Sequence, residues 1–71
     1  MSNAEPTYIG KVTDVLPNTQ FRVVLNDGKN VRCYLAGKMR KFNINVLLGD
    51  MVQFVWSGRE GEIGRITRRG V

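Results

Sequence analysis

Alternation of apolar and polar residues predicts two adjacent β-strands near the middle of the chain. In residues 20–25 and again in residues 31–35, every second side chain is apolar, which is the pattern of a strand with one buried face. The intervening Asn26-Asp27-Gly28 is typical of a hairpin turn. A two-residue loop would set apolar against polar positions, whereas a three-residue loop with Gly28 left-handed keeps the apolar faces together. The predicted register therefore pairs Leu25 with Lys29, Val23 with Val31, and Phe21 with Cys33.

Three weaker patterns predict further strands on either side of this hairpin. The first spans Tyr8–Leu16 and contains Gly10, which predicts a bulge or strong bend, and Pro17-Asn18 ends it. The fourth and fifth span Met51–Ser57 and Glu62–Arg69.

Parity within the last two strands predicts which side chains face inward. Trp56 shares a face with Val52 and Phe54, which favours a core position over a stacking platform. Ile66 is expected to face inward as well. The outward positions of the fifth strand are then Arg65, Thr67 and Arg69.

The segment between the third and fourth strands is longer than a hairpin loop. Residues 38–42 are predicted to form about one turn of helix, and Leu48-Gly49-Asp50 is predicted to be a turn. Three apolar residues between them are expected to return to the core: Ile44, Val46 and Leu47. Five strands with this connector predict an all-β fold, a five-stranded Greek-key OB-fold barrel with a short helical turn between strands three and four. A five-stranded SH3-type barrel is the alternative.

The chain of 71 residues is short enough for one domain only. Residues 8–71 are predicted to form it, and residues 1–7 a flexible N-terminal tail that could derive in part from an expression vector. Cys33 is the single cysteine and is interpreted as a small buried hydrophobe. Because there is neither a membrane-spanning apolar run nor a secretory signal pattern, we expect a cytoplasmic protein without a membrane partner. We also expect a monomer.

Charge composition favours a polyanionic partner and argues against catalysis. Lys and Arg number 11 against 6 Asp and Glu, so the formal net charge is +5. Nucleic acid is the first candidate partner, and an acidic protein or membrane surface the second. The chain has no histidine, its carboxylates are scattered, and no phosphate-cradling glycine motif occurs. We therefore predict no enzyme activity, no metal site and no cofactor.

The densest charge lies in Gly37-Lys38-Met39-Arg40-Lys41. Three cations this close repel one another, and an anionic partner would explain the grouping, although a solvated loop is the alternative. Met39 either rests on an exposed base or caps the barrel.

The predicted hairpin also places Arg22 opposite Arg32 and Tyr34 across from Gln20 on its outer face. Such a cationic face with one aromatic suits phosphate contact and base stacking. The alternative is that both arginines extend into water and that Tyr34 packs against their stems.

Four blocks of the chain, in order and at the expected spacing, resemble the bacterial translation initiation factor one family. They are Leu16-Pro17-Asn18 followed by Phe21-Arg22-Val23, then Gly37 to Lys41, then Ile44 to Val52, and lastly Gly64-Arg65-Ile66. The resemblance covers residues 10–69. It implies an OB-fold protein that binds the aminoacyl-tRNA site of the small ribosomal subunit through 16S ribosomal RNA and ribosomal protein S12. It further implies that the protein excludes elongator tRNA and cooperates with initiation factors two and three.

Carried over by position, the resemblance matches Arg68 and Arg69 to the family's basic end. It places seven further residues on or near ribosomal RNA: Asn18, Arg22, Lys38, Met39, Arg40, Lys41 and Arg65. With Arg32 and Tyr34 from the hairpin, the candidate RNA-binding residues are Asn18, Arg22, Arg32, Tyr34, Lys38, Met39, Arg40, Lys41, Arg65, Arg68 and Arg69.

Departures from the family pattern indicate a divergent member. They fall at Tyr34-Leu35-Ala36, Asn45, Leu48 and the loop 58–62. Two other classes of function remain open: a general RNA-binding or cold-shock-type RNA chaperone, and an SH3-type module for an acidic protein. The first would show several clustered aromatics on strands two and three, where only Tyr34 is well placed.

Overall fold

The computed structural model describes residues 6–41 and 45–70. Their elements are β1 (Thr7–Leu16), β2 (Gln20–Val24), β3 (Asn30–Leu35), α1 (Gly37–Lys41), β4 (Met51–Val55) and β5 (Gly64–Arg69). The predicted five strands and the helical turn are confirmed. The first strand begins one residue earlier than predicted, and residues 1–5 of the predicted tail lie outside the described residues.

The five strands close into a barrel in the order β1-β2-β3-β5-β4. β1 pairs antiparallel with both β2 and β4, while β3 and β5 run parallel. This closed Greek-key order confirms the OB-fold prediction, and the SH3-type alternative is wrong.

The β2–β3 hairpin has the predicted register. Phe21 pairs with Cys33, and Val23 pairs with Val31. The Leu25 amide donates to the Lys29 carbonyl at 2.9 Å, and Gly28 has a φ of 90°. The three-residue loop is therefore confirmed.

β1 contains both a close backbone approach and a bulge. A Cβ on Gly10 would lie 2.5 Å from Val23 Cγ1, so glycine lets β2 pass close to β1. The register shift lies between Val12 and Asp14. The bulge predicted from Gly10 is thus present in this strand, but three residues further on, at Thr13.

β4 and β5 are shorter than predicted: β5 begins at Gly64, and β4 ends at Val55, directly before Trp56. The backbone amide of Trp56 donates to the Pro6 carbonyl at 3.2 Å, and its indole Nε1 donates to the Glu62 carbonyl at 3.0 Å. Trp56 is 3% exposed, so its predicted core position is confirmed. Its ring also meets Tyr8 edge-on, with centroids 5.2 Å apart.

The barrel interior is apolar, and the connector closes one part of it. The core contains Val12, Phe21, Val23, Val31, Cys33, Leu35, Met39, Val46, Val52, Phe54, Trp56 and Ile66. Burial raises the pKa of the Cys33 thiol to about 12, which keeps the sulfur neutral and agrees with its interpretation as a small hydrophobe.

One core prediction in the connector is wrong. Leu47 is 62% exposed. Its amide donates to the Asp50 carboxylate at 2.9 Å and its carbonyl accepts from the Asp50 amide at 3.1 Å, so Leu47 is the first residue of the turn at the surface. Val46 is buried as predicted. Ile44 and Phe42 lie outside the described residues.

No helix within residues 6–41 and 45–70 is long and apolar enough to cross a membrane.

Candidate nucleic-acid interface

An open groove of about 820 Å³ crosses the outer face of β2 and β3. The β1–β2 loop forms one wall, and the segment that leads into β5 forms the other. Its lining residues are Leu16, Pro17, Asn18, Gln20, Arg22, Asn30, Arg32, Trp56, Gly61, Glu62 and Ile63. Two guanidinium groups, several amides and apolar flanks therefore face one space, which could accept a phosphate and hold a base beside it.

Arg22 and Arg32 occupy directly opposite positions on the two strands, as predicted. Two like charges in this arrangement repel each other. Arg22 Nη1 donates to Asp14 Oδ2 at 2.7 Å, and both side chains are about half exposed. The carboxylate on β1 thus offsets part of the repulsion, which the sequence pattern did not indicate.

Asn18 lies at the rim of the groove in an unusual backbone conformation. Its φ is 62°, and the φ of the following Thr19 is 57°. Two consecutive residues with side chains in the left-handed region store free energy, about 1–3 kcal/mol each. The loop that carries Asn18 is therefore held in shape by the strands around it, which presents the amide to the groove.

Tyr34 lies beside the groove and is not one of its lining residues. It is half-buried, opposite Gln20 on β2 and beside Arg65 on β5. Tyr34 and Arg65 are adjacent because β3 and β5 pair in parallel, and the sequence pattern could not reveal that pairing. As register partners in neighbouring strands, the two residues share the outer face of the sheet.

α1 presents its cations outward and its methionine inward. Lys38, Arg40 and Lys41 are exposed, whereas Met39 is 1% exposed. Helical periodicity explains the separation, because the Met39 and Arg40 amides both bond the Ala36 carbonyl and fix the turn against the barrel. Met39 is therefore buried and caps the barrel, which was one of its two alternatives, and its assignment to RNA contact stays a prediction.

The remaining candidates, Arg68 and Arg69, lie at the end of β5 against β4 and away from Tyr34. Both are exposed. Arg69 Nη1 also donates to the Asn45 backbone carbonyl, so this side chain ties the connector to the barrel. The structure does not bring these two arginines into the groove.

Sequence reasoning missed the groove residues Asn30 and Glu62, and it also missed Asp14, which pairs with Arg22 but does not line the groove. Asn30 and Glu62 begin or precede strands, where alternation gives no signal. Among the described residues, no group of three or more His, Cys, Asp or Glu side chains could hold a metal ion. The surface can donate many hydrogen bonds to anionic oxygens, which is the chemistry of binding.

Comparison with known proteins agrees with this geometry. The family described as translation initiation factor 1A / IF-1 matches residues 1–70. The solution structure of translation initiation factor one from the Wolbachia endosymbiont strain TRS of Brugia malayi is similar, with 36% identity and a TM-score of 0.78 over 96% of this chain and 80% of that chain. YjeQ from Thermotoga maritima is similar over 90% of this chain but only 22% of its own, with 26% identity and a TM-score of 0.73.

Proposed function

Because this chain belongs to the translation initiation factor 1A / IF-1 family, we propose that it binds the aminoacyl-tRNA site of the small ribosomal subunit through 16S ribosomal RNA. Family membership assigns it a role in translation initiation and association with the ribosome. The site, the mode of contact and the named partners are the proposal.

The observation that carries the proposal is the groove with Arg22 and Arg32 side by side on its floor. Arginine can grip a phosphate with paired N–H donors, so two neighbouring arginines can fix the path of an RNA backbone. Asn18 at the rim and the amides of Gln20 and Asn30 are placed to bond base edges or ribose hydroxyls.

α1 extends this surface with a second set of cations. Lys38, Arg40 and Lys41 project outward from the helix, while Met39 is committed to the core. Lysines act as mobile point charges and Arg40 as a directed donor, so the helix can neutralise phosphates of a neighbouring RNA strand. Arg65, next to Tyr34, extends the surface along β5.

Specificity would come from the shape of folded RNA. The outer face offers Tyr34 as a stacking ring, whereas general single-strand binders use several aromatics. A surface of cations at fixed spacing suits RNA whose phosphates are themselves fixed in a folded structure. The protein would thereby occupy the aminoacyl-tRNA site as a monomer, exclude elongator tRNA, contact ribosomal protein S12 and support initiation factors two and three.

Co-sedimentation with purified small ribosomal subunits at two salt concentrations tests the proposal, combined with chemical probing of decoding-site bases. We expect stoichiometric binding, weaker at the higher salt, with protection of those bases. Added elongator tRNA should compete with the protein. Equal binding to any single-stranded RNA, with no preference for the subunit, would contradict the proposal and favour a general RNA chaperone.

A further inference from the structure

Besides Glu62 at the edge of the groove, the basic outer face carries an acidic side chain that is paired directly with one of its arginines. Asp14 accepts a hydrogen bond from Arg22 Nη1 at 2.7 Å, although both side chains reach solvent, with 51% and 48% of their surfaces exposed. A surface shaped only for affinity to RNA would leave Arg22 without a carboxylate next to it, since the carboxylate repels phosphate.

The bulge in β1 is what brings Asp14 to this position. Val12 pairs with Val23, and the next pair is Asp14 with Arg22, so Thr13 is the extra residue. Without the bulge, Thr13 would face Arg22. Thr13 Oγ1 donates to the Arg22 carbonyl at 3.4 Å, which adds a second link between the bulge and this residue. Bulges commonly re-aim a side chain in this way.

The result is a row of three charges across three strands, Asp14, Arg22 and Arg32. The carboxylate cancels one of the two positive charges at a distance, so a flexible polyanion is attracted less strongly. It also holds the guanidinium in one orientation while the other N–H donors of Arg22 remain for a ligand. A phosphate that folded RNA already holds near Arg22 loses little binding free energy through the carboxylate. A phosphate of a flexible chain, which must be ordered on binding, loses more.

We propose that Asp14 is a positioning residue that sets selectivity, favouring folded RNA over unstructured polyanions by pairing with Arg22. The inference rests on the proposed function for its folded target. Its action on unstructured RNA can be measured separately.

The test compares the wild type, Asp14→Asn and Glu60→Gln for binding to purified small subunits and to a short oligouridylate over a range of salt. Glu60 is exposed in the β4–β5 loop and does not line the groove, so its variant gives the same change in net charge elsewhere. We expect Asp14→Asn to bind oligouridylate about threefold to tenfold more tightly, with a salt slope steeper by about 0.7. Subunit affinity should not rise with it, and Asp14→Glu should restore the wild-type ratio.

Two controls separate positioning from a merely structural role. The thermal midpoint of Asp14→Asn should stay close to that of the wild type, because half-exposed ion pairs add little stability. In an Arg22→Gln background, Asp14→Asn should have only the effect of Glu60→Gln, since Asp14 acts through Arg22.

Each outcome decides a different claim. If the wild type prefers the subunit but Asp14→Asn and Glu60→Gln behave alike, the inference is overturned and the proposed function stands. An equal gain for subunit and oligouridylate also overturns it. If the wild type shows no preference for the subunit, the proposed function fails, and the selectivity assigned to Asp14 fails with it.

Discussion

At the scale of single residues, the strand parity of the hairpin decides what is buried. Phe21 and Cys33 form a pair inside the barrel, while Arg22 and Arg32 form the next pair outside. The same alternation that buries the aromatic ring therefore exposes the two guanidinium groups. Core and candidate site are two faces of the same two strands.

Phe21→Ala should lower the free energy of unfolding by about 3–5 kcal/mol, because it leaves a cavity in a closed barrel. Urea denaturation measures the loss. The matched control is Val15→Ala, since Val15 pairs with Phe21 but is 58% exposed. The control should cost no more than about 0.5 kcal/mol. Equal losses in the two variants would mean that Phe21 contributes nothing special to the core.

At the scale of elements, β1 and α1 each contain a glycine, and the two glycines differ in the space available for a side chain. Gly10 lies where β2 passes close to β1, with the Val24 carbonyl oxygen 2.8 Å from an added Cβ. Gly37 begins α1, and an added Cβ there meets nothing within 4 Å. One glycine is required by packing, and the other is not.

Gly10→Ala is expected to destabilise the protein by about 1–3 kcal/mol, because Val23 and the backbone of β2 must shift to admit the methyl group. Gly37→Ala, which makes the same chemical change, should be neutral or stabilising by up to about 1 kcal/mol, since alanine restricts the unfolded chain. Thermal or urea unfolding of the two variants distinguishes them. A stable Gly10→Ala would show that the β1–β2 approach is looser than these distances imply.

At the scale of the whole molecule, the excess of positive charge is spread over distinct surfaces. The groove, α1 and the end of β5 each carry exposed cations, and Lys29 lies in the hairpin loop at the other end of β3 from α1. If binding to the subunit depends on where the cations lie, then removing one charge from α1 and one from the hairpin loop should differ in effect.

Arg40→Ala should weaken binding to the small subunit and reduce the slope of log affinity against log salt by about one, as expected for one lost phosphate contact. Its thermal midpoint should barely change, because the side chain is exposed. Lys29→Ala removes the same charge and should change the slope much less. A large fall in stability of Arg40→Ala would assign this side chain a structural role instead.

The sequence by itself determined the barrel, the hairpin register and the outward basic residues of β2, β3 and α1. Alternation and turn chemistry are local, so the pairing of Val23 with Val31 and the exposure of Arg22 follow from residues that are close along the chain. The short helix and its cations were likewise predictable from the basic run and its flanking strands.

Only the tertiary structure decided which of these residues meet. The parallel pairing that sets Arg65 beside Tyr34 joins strands that are distant in sequence. The bulge at Thr13 that aligns Asp14 with Arg22 joins neighbouring strands, but the alternation of residues does not show where it lies. The tertiary structure also turned Met39 inward and left Leu47 exposed, because space inside a closed barrel is shared among all its elements. Periodicity along one strand carries no information about such contacts, since they depend on how the barrel closes.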